Sequence, residues 1–197
     1  MGTQLSSDAG IALLINTAST VLALTLLILL LGPVSGAHIN PAVSLVARIG
    51  GNQKSSETFA YVAAQVIGAI IGAIVANLMF ALPAIQISNN ARNSVGMLLG
   101  EVIATAGLIT VIGVLSARNQ TEKIPVAVAS WIGSAYFFTS STSFANPAVT
   151  IGRMFSDTFA GIAPVSVLPF ITAQLVGAVI GIFIVKGIMK EQERNVS

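Results

Sequence analysis

The sequence contains no cysteine and only one histidine, His38. Thiol redox chemistry is therefore excluded, and a transition-metal site built by the protein would lack its usual ligands. The formal net charge is +2, and there is no basic stripe and no glycine-rich phosphate loop, so nothing favours nucleic-acid binding. No nucleophile, base and orienting group occur at a plausible spacing either. We therefore expect no enzymatic activity, no metal and no cofactor.

Charged residues are also scarce. They make up 8% of the chain, and hydrophobic residues make up 54%, whereas a soluble domain carries about 25% charged residues. Each apolar run is close to the roughly 20 residues that a membrane-spanning helix needs. The runs cover residues 9–31, 57–83, 94–116, 124–141 and 165–189. The sequence therefore predicts an all-α integral membrane bundle with five spanning helices. No basic residue precedes the first run, so we do not expect a removable signal peptide.

The basic residues indicate an orientation in the lipid bilayer. The larger group comprises Arg48, Lys54, Arg118, Lys123, Lys186, Lys190 and Arg194, and the smaller group comprises Arg92 and Arg153. The two groups fall on opposite sides of the predicted spans. By the positive-inside rule the larger group is cytoplasmic. We therefore expect a cytoplasmic C-terminus and an N-terminus outside.

The sequence repeats itself. "NPAVSL" at 40–45 returns as "NPAVTI" at 146–151, and "AAQVIGAIIGAI" at 63–74 resembles "TAQLVGAVIGIF" at 172–183. The second pair aligns Gln65 with Gln174, Gly68 with Gly177 and Gly72 with Gly181. Glycines at this spacing let helices approach closely in lipid. The charge pattern gives the copies opposite orientations, and inverted repeats place a functional site near the membrane midplane. We expect one transmembrane domain, 1–197, with half-repeats 1–90 and 91–197.

One span has no counterpart. The apolar run 94–116 precedes the second copy, and its equivalent in the first copy would fall before Met1. Two explanations stay open: the start is assigned too late, or the protein has five spans. Since Met1 lies where a short loop between spans would fall, we favour the first. A truncated, non-conducting protein is the corresponding alternative.

The two Asn-Pro-Ala motifs predict half-helices. They comprise Asn40, Pro41 and Ala42 in the first copy and Asn146, Pro147 and Ala148 in the second. Asparagine caps a helix and proline suits its first turn. From Asn40 to Ile49 a helix would extend about 15 Å, half of the roughly 30 Å membrane core. Two such helices would meet at the midplane, each with about +0.5 elementary charge at its N-terminus, and would repel cations. The preceding loops should present carbonyl oxygens to a pore. The alternative is that each Asn-Pro pair forms an ordinary turn. The presence of two nearly identical motifs at matching positions of the repeat makes this alternative much weaker.

The paired motifs and "SGAHINPAV" resemble the aquaporin, or major intrinsic protein, family. The resemblance implies six spans plus two half-helices, usually in a homotetramer, and a passive channel for water or small neutral solutes. Glu101 in "LLGEVIATAGLITV" matches the glutamate that members carry in the first helix of each half. The second motif, "NPAV", is similar to that of bacterial members linked to arsenic handling, which suggests the bacterial inner membrane.

The resemblance also implies a constriction. In the family it is formed by one residue on the second helix, one on the fifth and two on the last loop, the final one being an arginine three places after the second motif asparagine. Carried over, these positions are Thr20, Ser134, Ser143 and Val149. An arginine narrows such a pore and repels cations, and valine does neither. We therefore expect passage of glycerol-sized polyols, or of neutral metalloid hydroxides such as arsenous acid. A secondary transporter is the less favoured alternative.

Three further polar residues receive alternative interpretations. Glu101 lies within a span, where a charge is costly, and is expected to accept N–H groups of the last loop or else to couple protons. His38 either fixes the first loop or faces the pore. Arg153 either reaches the pore mouth or pairs with Asp157 four residues on. We expect Tyr61, Tyr136 and Trp131 only to pack or to lie at interfaces.

Overall fold

The computed structural model describes residues 1–196 and contains no strand within that range, so the predicted all-α class is confirmed. The helices are α1 (Gly2–Leu5), α2 (Ala9–Ser35), α3 (Pro41–Ile49), α4 (Ser55–Met79), α5 (Val95–Ala117), α6 (Ile124–Phe138), α7 (Pro147–Arg153) and α8 (Pro164–Val196). A short 3₁₀ turn, Thr121–Lys123, precedes α6.

Four helices, α2, α4, α5 and α8, are long and apolar enough to cross a membrane. The fifth predicted span, 124–141, is shorter than expected, because α6 has 15 residues and is about 22 Å long. The helix ends where serine and threonine side chains offer the backbone competing hydrogen bonds. Thr139 adopts an extended conformation, and the Ser141 hydroxyl accepts the Ser143 N–H at 3.1 Å. The backbone after α6 can therefore turn back towards Asn146.

The predicted half-helices are confirmed. α3 has 9 residues and α7 has 7, which correspond to about 14 Å and about 10 Å. Each begins with a capping asparagine and a proline in the first turn. Asn40 Oδ1 accepts the Ala42 N–H at 2.9 Å, and Asn146 Oδ1 accepts the Ala148 N–H at 3.0 Å. The local sequence thus starts both helices at the point where the repeats predict them.

Close packing of α5 against α8 depends on two glycines. A Cβ atom at Gly177 would lie 2.4 Å from the Val102 carbonyl oxygen, and one at Gly181 would lie 2.7 Å from that of Ala106. Both distances are shorter than any side chain tolerates. The predicted use of a G-x-x-x-G pair for helix contact is therefore confirmed in the second half.

The equivalent glycines of α4 lie in a different environment. Gly68 and Gly72 are exposed, and no atom of the described residues lies within 4 Å of a Cβ atom built on either of them. α4 instead packs along α7, where a Cβ atom at Gly152 would lie 2.6 Å from the Ala69 carbonyl oxygen. Similar sequences in the two halves are therefore packed differently.

This difference predicts unequal effects of one substitution. We expect Gly177→Ala to destabilise the protein by about 1–3 kcal/mol because the new methyl group has no room. Gly68→Ala, the matched control in the first half, should leave stability unchanged or raise it, since alanine favours a helix by about 1 kcal/mol over glycine. Thermal unfolding in detergent, followed by tryptophan fluorescence, measures both. Equal losses in the two variants would contradict the packing described.

Candidate functional site

The N-terminal ends of the two half-helices are tied to each other. Asn40 Nδ2 donates to the Ala145 carbonyl oxygen at 2.8 Å, and Asn146 Nδ2 donates to the Ile39 carbonyl oxygen at 2.8 Å. Each asparagine therefore caps its own helix with its oxygen and holds the other loop with its nitrogen. We expected the carbonyls of these loops to face a pore, but these two accept internal hydrogen bonds. The second N–H of each amide group remains available to the cavity that both asparagines line.

Both loops carry strained backbone before the asparagine. Ala37 and Ile39 have φ values of 45° and 48°, and their counterparts Ser143 and Ala145 have 48° and 47°. A left-handed conformation at a residue other than glycine costs about 1–3 kcal/mol and persists where the surroundings enforce it. The same strain in both halves indicates that these loop shapes serve a function.

Glu101 enforces the shape of the second loop. Its side chain is completely buried. Oε1 accepts the Phe144 N–H at 2.9 Å, and Oε2 accepts the Ala145 N–H at 2.8 Å. Gln174 of α8 donates to Oε2 at 2.6 Å. One carboxylate thus accepts hydrogen bonds from two loop N–H groups that have no partner within a helix. This is the contact expected of a residue that supports the loop.

A hydroxyl group organises the first loop. Ser44 Oγ is fully buried and lies 3.1 Å from His38 Nδ1, and it accepts a hydrogen bond from Gln65 Nε2 at 3.1 Å. The His38 ring also contacts Tyr61, with ring centroids 5.4 Å apart. His38 therefore both fixes the loop and lines the cavity, so the two interpretations made from the sequence are not exclusive.

A cavity of about 720 Å³ passes the paired asparagines. At one end it is lined by Thr20, Tyr136 and Arg153, and at the other by Asn52, Ser116 and Lys186. Between the asparagines and the Lys186 end the lining is mostly aliphatic. It includes Leu24, Ile28, Val46, Leu108, Ile112 and Val185. The cavity therefore joins an apolar passage to the polar end near Arg153.

Three of the four residues assigned to the constriction line this cavity, namely Thr20, Ser143 and Val149. The assignment of Ser134 is wrong, because its side chain is exposed on the opposite face of α6. Helix geometry explains the error: residues four apart share a face, and Ile132 and Tyr136 line the cavity. Ser134 is two positions from each. Since Tyr136 lines the cavity and hydrogen-bonds to Thr20, the expectation that this tyrosine only packs is also wrong.

Arg153 lies at the polar end of the cavity. Its Nη2 donates to the Tyr136 hydroxyl at 3.4 Å, and its guanidinium carbon lies 4.3 Å from the centroid of the Phe144 ring. Among residues 1–196 it forms no ion pair with Asp157, so that interpretation is wrong. The reason is that α7 ends at Arg153, and no helical face connects the two residues. Asp157 accepts the Asn89 N–H at 2.9 Å instead, and this bond lowers the pKa of the Asp157 carboxyl.

Arg92 is a buried cation, which the sequence analysis used only as a marker of orientation. It donates to the carbonyl oxygens of Gly161 at 2.8 Å and Ser141 at 3.1 Å, and its guanidinium carbon lies 5.0 Å from the Phe144 centroid. Burial, and then the charge of Arg153, lowers the pKa of Arg92 to about 10, so it is protonated at neutral pH. No sequence pattern signals these contacts, since all its partners are distant in the chain.

Trp131 behaves as expected of a packing residue. Its indole Nε1 donates to the Ala104 carbonyl oxygen at 2.8 Å, and its ring fills the space left by Gly107. Within the described residues there is also no group of three or more histidine, cysteine, aspartate or glutamate side chains that could hold a metal ion.

Comparison with known proteins identifies the family. The family model described as Major intrinsic protein matches residues 2–143 and residues 115–197. Aquaglyceroporin AqpS of Rhizobium meliloti is 42% identical over 190 residues, which are 96% of this chain and 81% of the relative. Aquaporin Z of Brucella melitensis is 31% identical over 175 residues, 80% of this chain and 75% of the relative.

A third relative is matched over a shorter part. The glycerol uptake facilitator protein of Bacillus subtilis is 30% identical over 144 residues, which are 65% of this chain and 52% of the relative. The family model covers both halves of the chain, and each half contains one of the two half-helices. The chain is an integral membrane protein that belongs to the major intrinsic protein family.

Proposed function

We propose that the protein is a passive channel for water and small neutral solutes, with glycerol-sized polyols and neutral metalloid hydroxides such as arsenous acid as its larger permeants. The observation that carries this proposal is the pair of half-helix N-termini beside the cavity, linked by Asn40 and Asn146. The asparagines place amide donors in a cavity whose other lining residues are mostly aliphatic. This combination suits an uncharged solute that accepts hydrogen bonds.

Electrostatics supports the exclusion of cations. The aligned peptide dipoles of α3 and α7 place about +0.5 elementary charge at each N-terminus, and both ends adjoin the cavity. Arg153 and Lys186 add positive charge at its two ends. A cation would therefore meet an unfavourable potential along the whole passage, whereas a neutral solute would not.

The lining residues favour solutes larger than water. Thr20, Ser143 and Val149 are small or medium-sized, and they line the cavity together with the larger Tyr136 and Arg153. Val149 leaves open the space that an arginine at this position would fill. The names of two relatives, an aquaglyceroporin and a glycerol uptake facilitator, are consistent with this solute class.

We further propose that residues 1–197 form one channel domain, with half-repeats 1–90 and 91–197. It would lie in a bacterial inner membrane with its C-terminus in the cytoplasm and assemble as a homotetramer. The basic residues concentrated near the Lys186 end of the cavity support this orientation. Bacterial relatives support the location.

Substitution of Val149 tests the solute class. In proteoliposomes we expect Val149→Arg to reduce glycerol permeability at least about tenfold, because a guanidinium group would narrow the passage and bind solute oxygens, while water permeability falls much less. Val149→Leu is the control, since it adds volume without charge or donors. Stopped-flow light scattering measures both solutes. Unchanged glycerol permeability in Val149→Arg would show that Val149 does not border the path.

Neutralisation of Glu101 separates a channel from an ion-coupled transporter. We expect Glu101→Gln to lower stability by about 1–3 kcal/mol, because the amide nitrogen faces a buried donor. Glycerol should still move only down its own gradient, at a rate proportional to its concentration. Glu57→Gln, which neutralises an exposed residue, is the control for stability. Saturable uptake in the unmodified protein that follows a proton gradient and disappears in Glu101→Gln would instead favour a transporter.

A further inference from the structure

Backbone packing directs Arg153 towards the cavity. The preceding residue, Gly152, is pressed against α4, since a Cβ atom there would lie 2.6 Å from the Ala69 carbonyl oxygen and 2.9 Å from the Ala69 Cβ. This close contact restrains the rotation of α7 about its axis. The next side chain along α7 lines the cavity, where it meets Tyr136 of α6.

Two aromatic residues hold the guanidinium group. The Tyr136 hydroxyl accepts from Arg153 at 3.4 Å and donates to Thr20 Oγ1 at 3.4 Å. On its other side the guanidinium lies over the Phe144 ring, 4.3 Å from the centroid, within the range of a cation–π contact. Phe144 is itself fixed, because Glu101 accepts its N–H at 2.9 Å. Side chains of α2, α6 and α7 are thus joined by two successive hydrogen bonds, from Arg153 to Tyr136 and from Tyr136 to Thr20.

Arg153 forms no ion pair within residues 1–196. The one ion pair within residues 1–196 joins Arg194 to Glu191, at the far end of α8. Asp157, which could have neutralised Arg153, is bound to Asn89. A second cation, Arg92, lies nearby, and its pKa is lowered by burial and then by the charge of Arg153. The buried Glu101 carboxylate accepts the Phe144 and Ala145 N–H groups and a Gln174 N–H and forms no ion pair within residues 1–196. A cation entering the cavity would therefore meet positive charge first.

We infer that Arg153, Tyr136 and Thr20 form the cation-excluding constriction of this protein, so that the arginine missing at Val149 is replaced by one displaced about one helical turn outward. This inference rests on the proposed channel function. Arg153 supplies charge and N–H donors, and Tyr136 positions it. Val149, one helical turn before Arg153, adds an apolar side chain to the lining of the cavity. Such a constriction passes neutral solutes that have several acceptor oxygens and an apolar face, and it rejects cations of the same size.

Urea and guanidinium are matched probes for this selectivity, because they are planar, similar in size and differ by one charge. In proteoliposomes we expect the unmodified protein to pass urea and glycerol and to exclude guanidinium. Arg153→Met keeps an unbranched apolar stem but removes the charge and the N–H donors. It should raise the permeability ratio of guanidinium to urea about tenfold or more, since a unit charge at a few ångström in a narrow passage dominates the barrier. Arg153→Lys should keep the ratio low, although its looser side chain loses the planar stacking.

Arg92→Met is the matched control. It removes a neighbouring cation that contacts the same Phe144 ring but does not line the cavity, so it should lower the unfolding temperature while changing the ratio much less than Arg153→Met. Tyr136→Phe supplies a second, conservative variant, and should raise the ratio by about twofold to threefold because the guanidinium loses one hydrogen bond.

The outcomes separate the two proposals. If the unmodified, folded protein passes neither glycerol nor urea, the channel function itself fails. If it passes them and Arg153→Met lowers all fluxes together without changing the ratio, Arg153 is only structural and the inference is overturned. The inference is also overturned if Arg92→Met raises the ratio as much as Arg153→Met, since the selectivity would then belong to the general positive potential.

Discussion

The reciprocal hydrogen bonds between Asn40 and the Ala145 carbonyl, and between Asn146 and the Ile39 carbonyl, fix the geometry of the site. Each asparagine must accept from its own helix and donate to the opposite loop at once, so neither half-helix can shift alone. The left-handed residues before each asparagine bring the carbonyls into reach. Because irregular backbone inside a membrane is tolerated only where protein or a wet cavity satisfies it, this link also accounts for the position of the cavity.

The two halves stabilise their loops in different ways. In the second half a buried carboxylate, Glu101, accepts two loop N–H groups, and α5 and α8 meet closely enough at Gly177 for Gln174 to reach it. In the first half Ser44 connects its loop to His38 and Gln65. Ser143 and Phe144 of the second loop line the cavity, and it is the loop that the carboxylate holds. In the second half, therefore, the buried carboxylate supports a loop that borders the cavity.

Local patterns allowed much of the fold to be predicted. An asparagine followed by proline favours the start of a helix, and the repetition of this pair led to the prediction of two half-helices. The carboxylate of Glu101 stood out because a charge within a span is rare. The failures involve register and distance in space. Whether Ser134 or Tyr136 faces the cavity depends on a shift of two residues along α6, and nothing in the sequence of α7 signals that it ends at Arg153. The contacts of Arg92 with Gly161 and Ser141 join segments that no motif connects.

The central claim is that the passage beside the linked asparagines conducts neutral solutes without coupling to ions. Its most direct test is the glycerol permeability of proteoliposomes containing the purified, folded protein, measured by stopped-flow light scattering over a range of glycerol gradients with and without a proton gradient. We predict a permeability well above that of protein-free vesicles, a flux proportional to the glycerol gradient and no response to the proton gradient. A permeability equal to that of protein-free vesicles, or a flux that saturates and follows the proton gradient, would contradict the account.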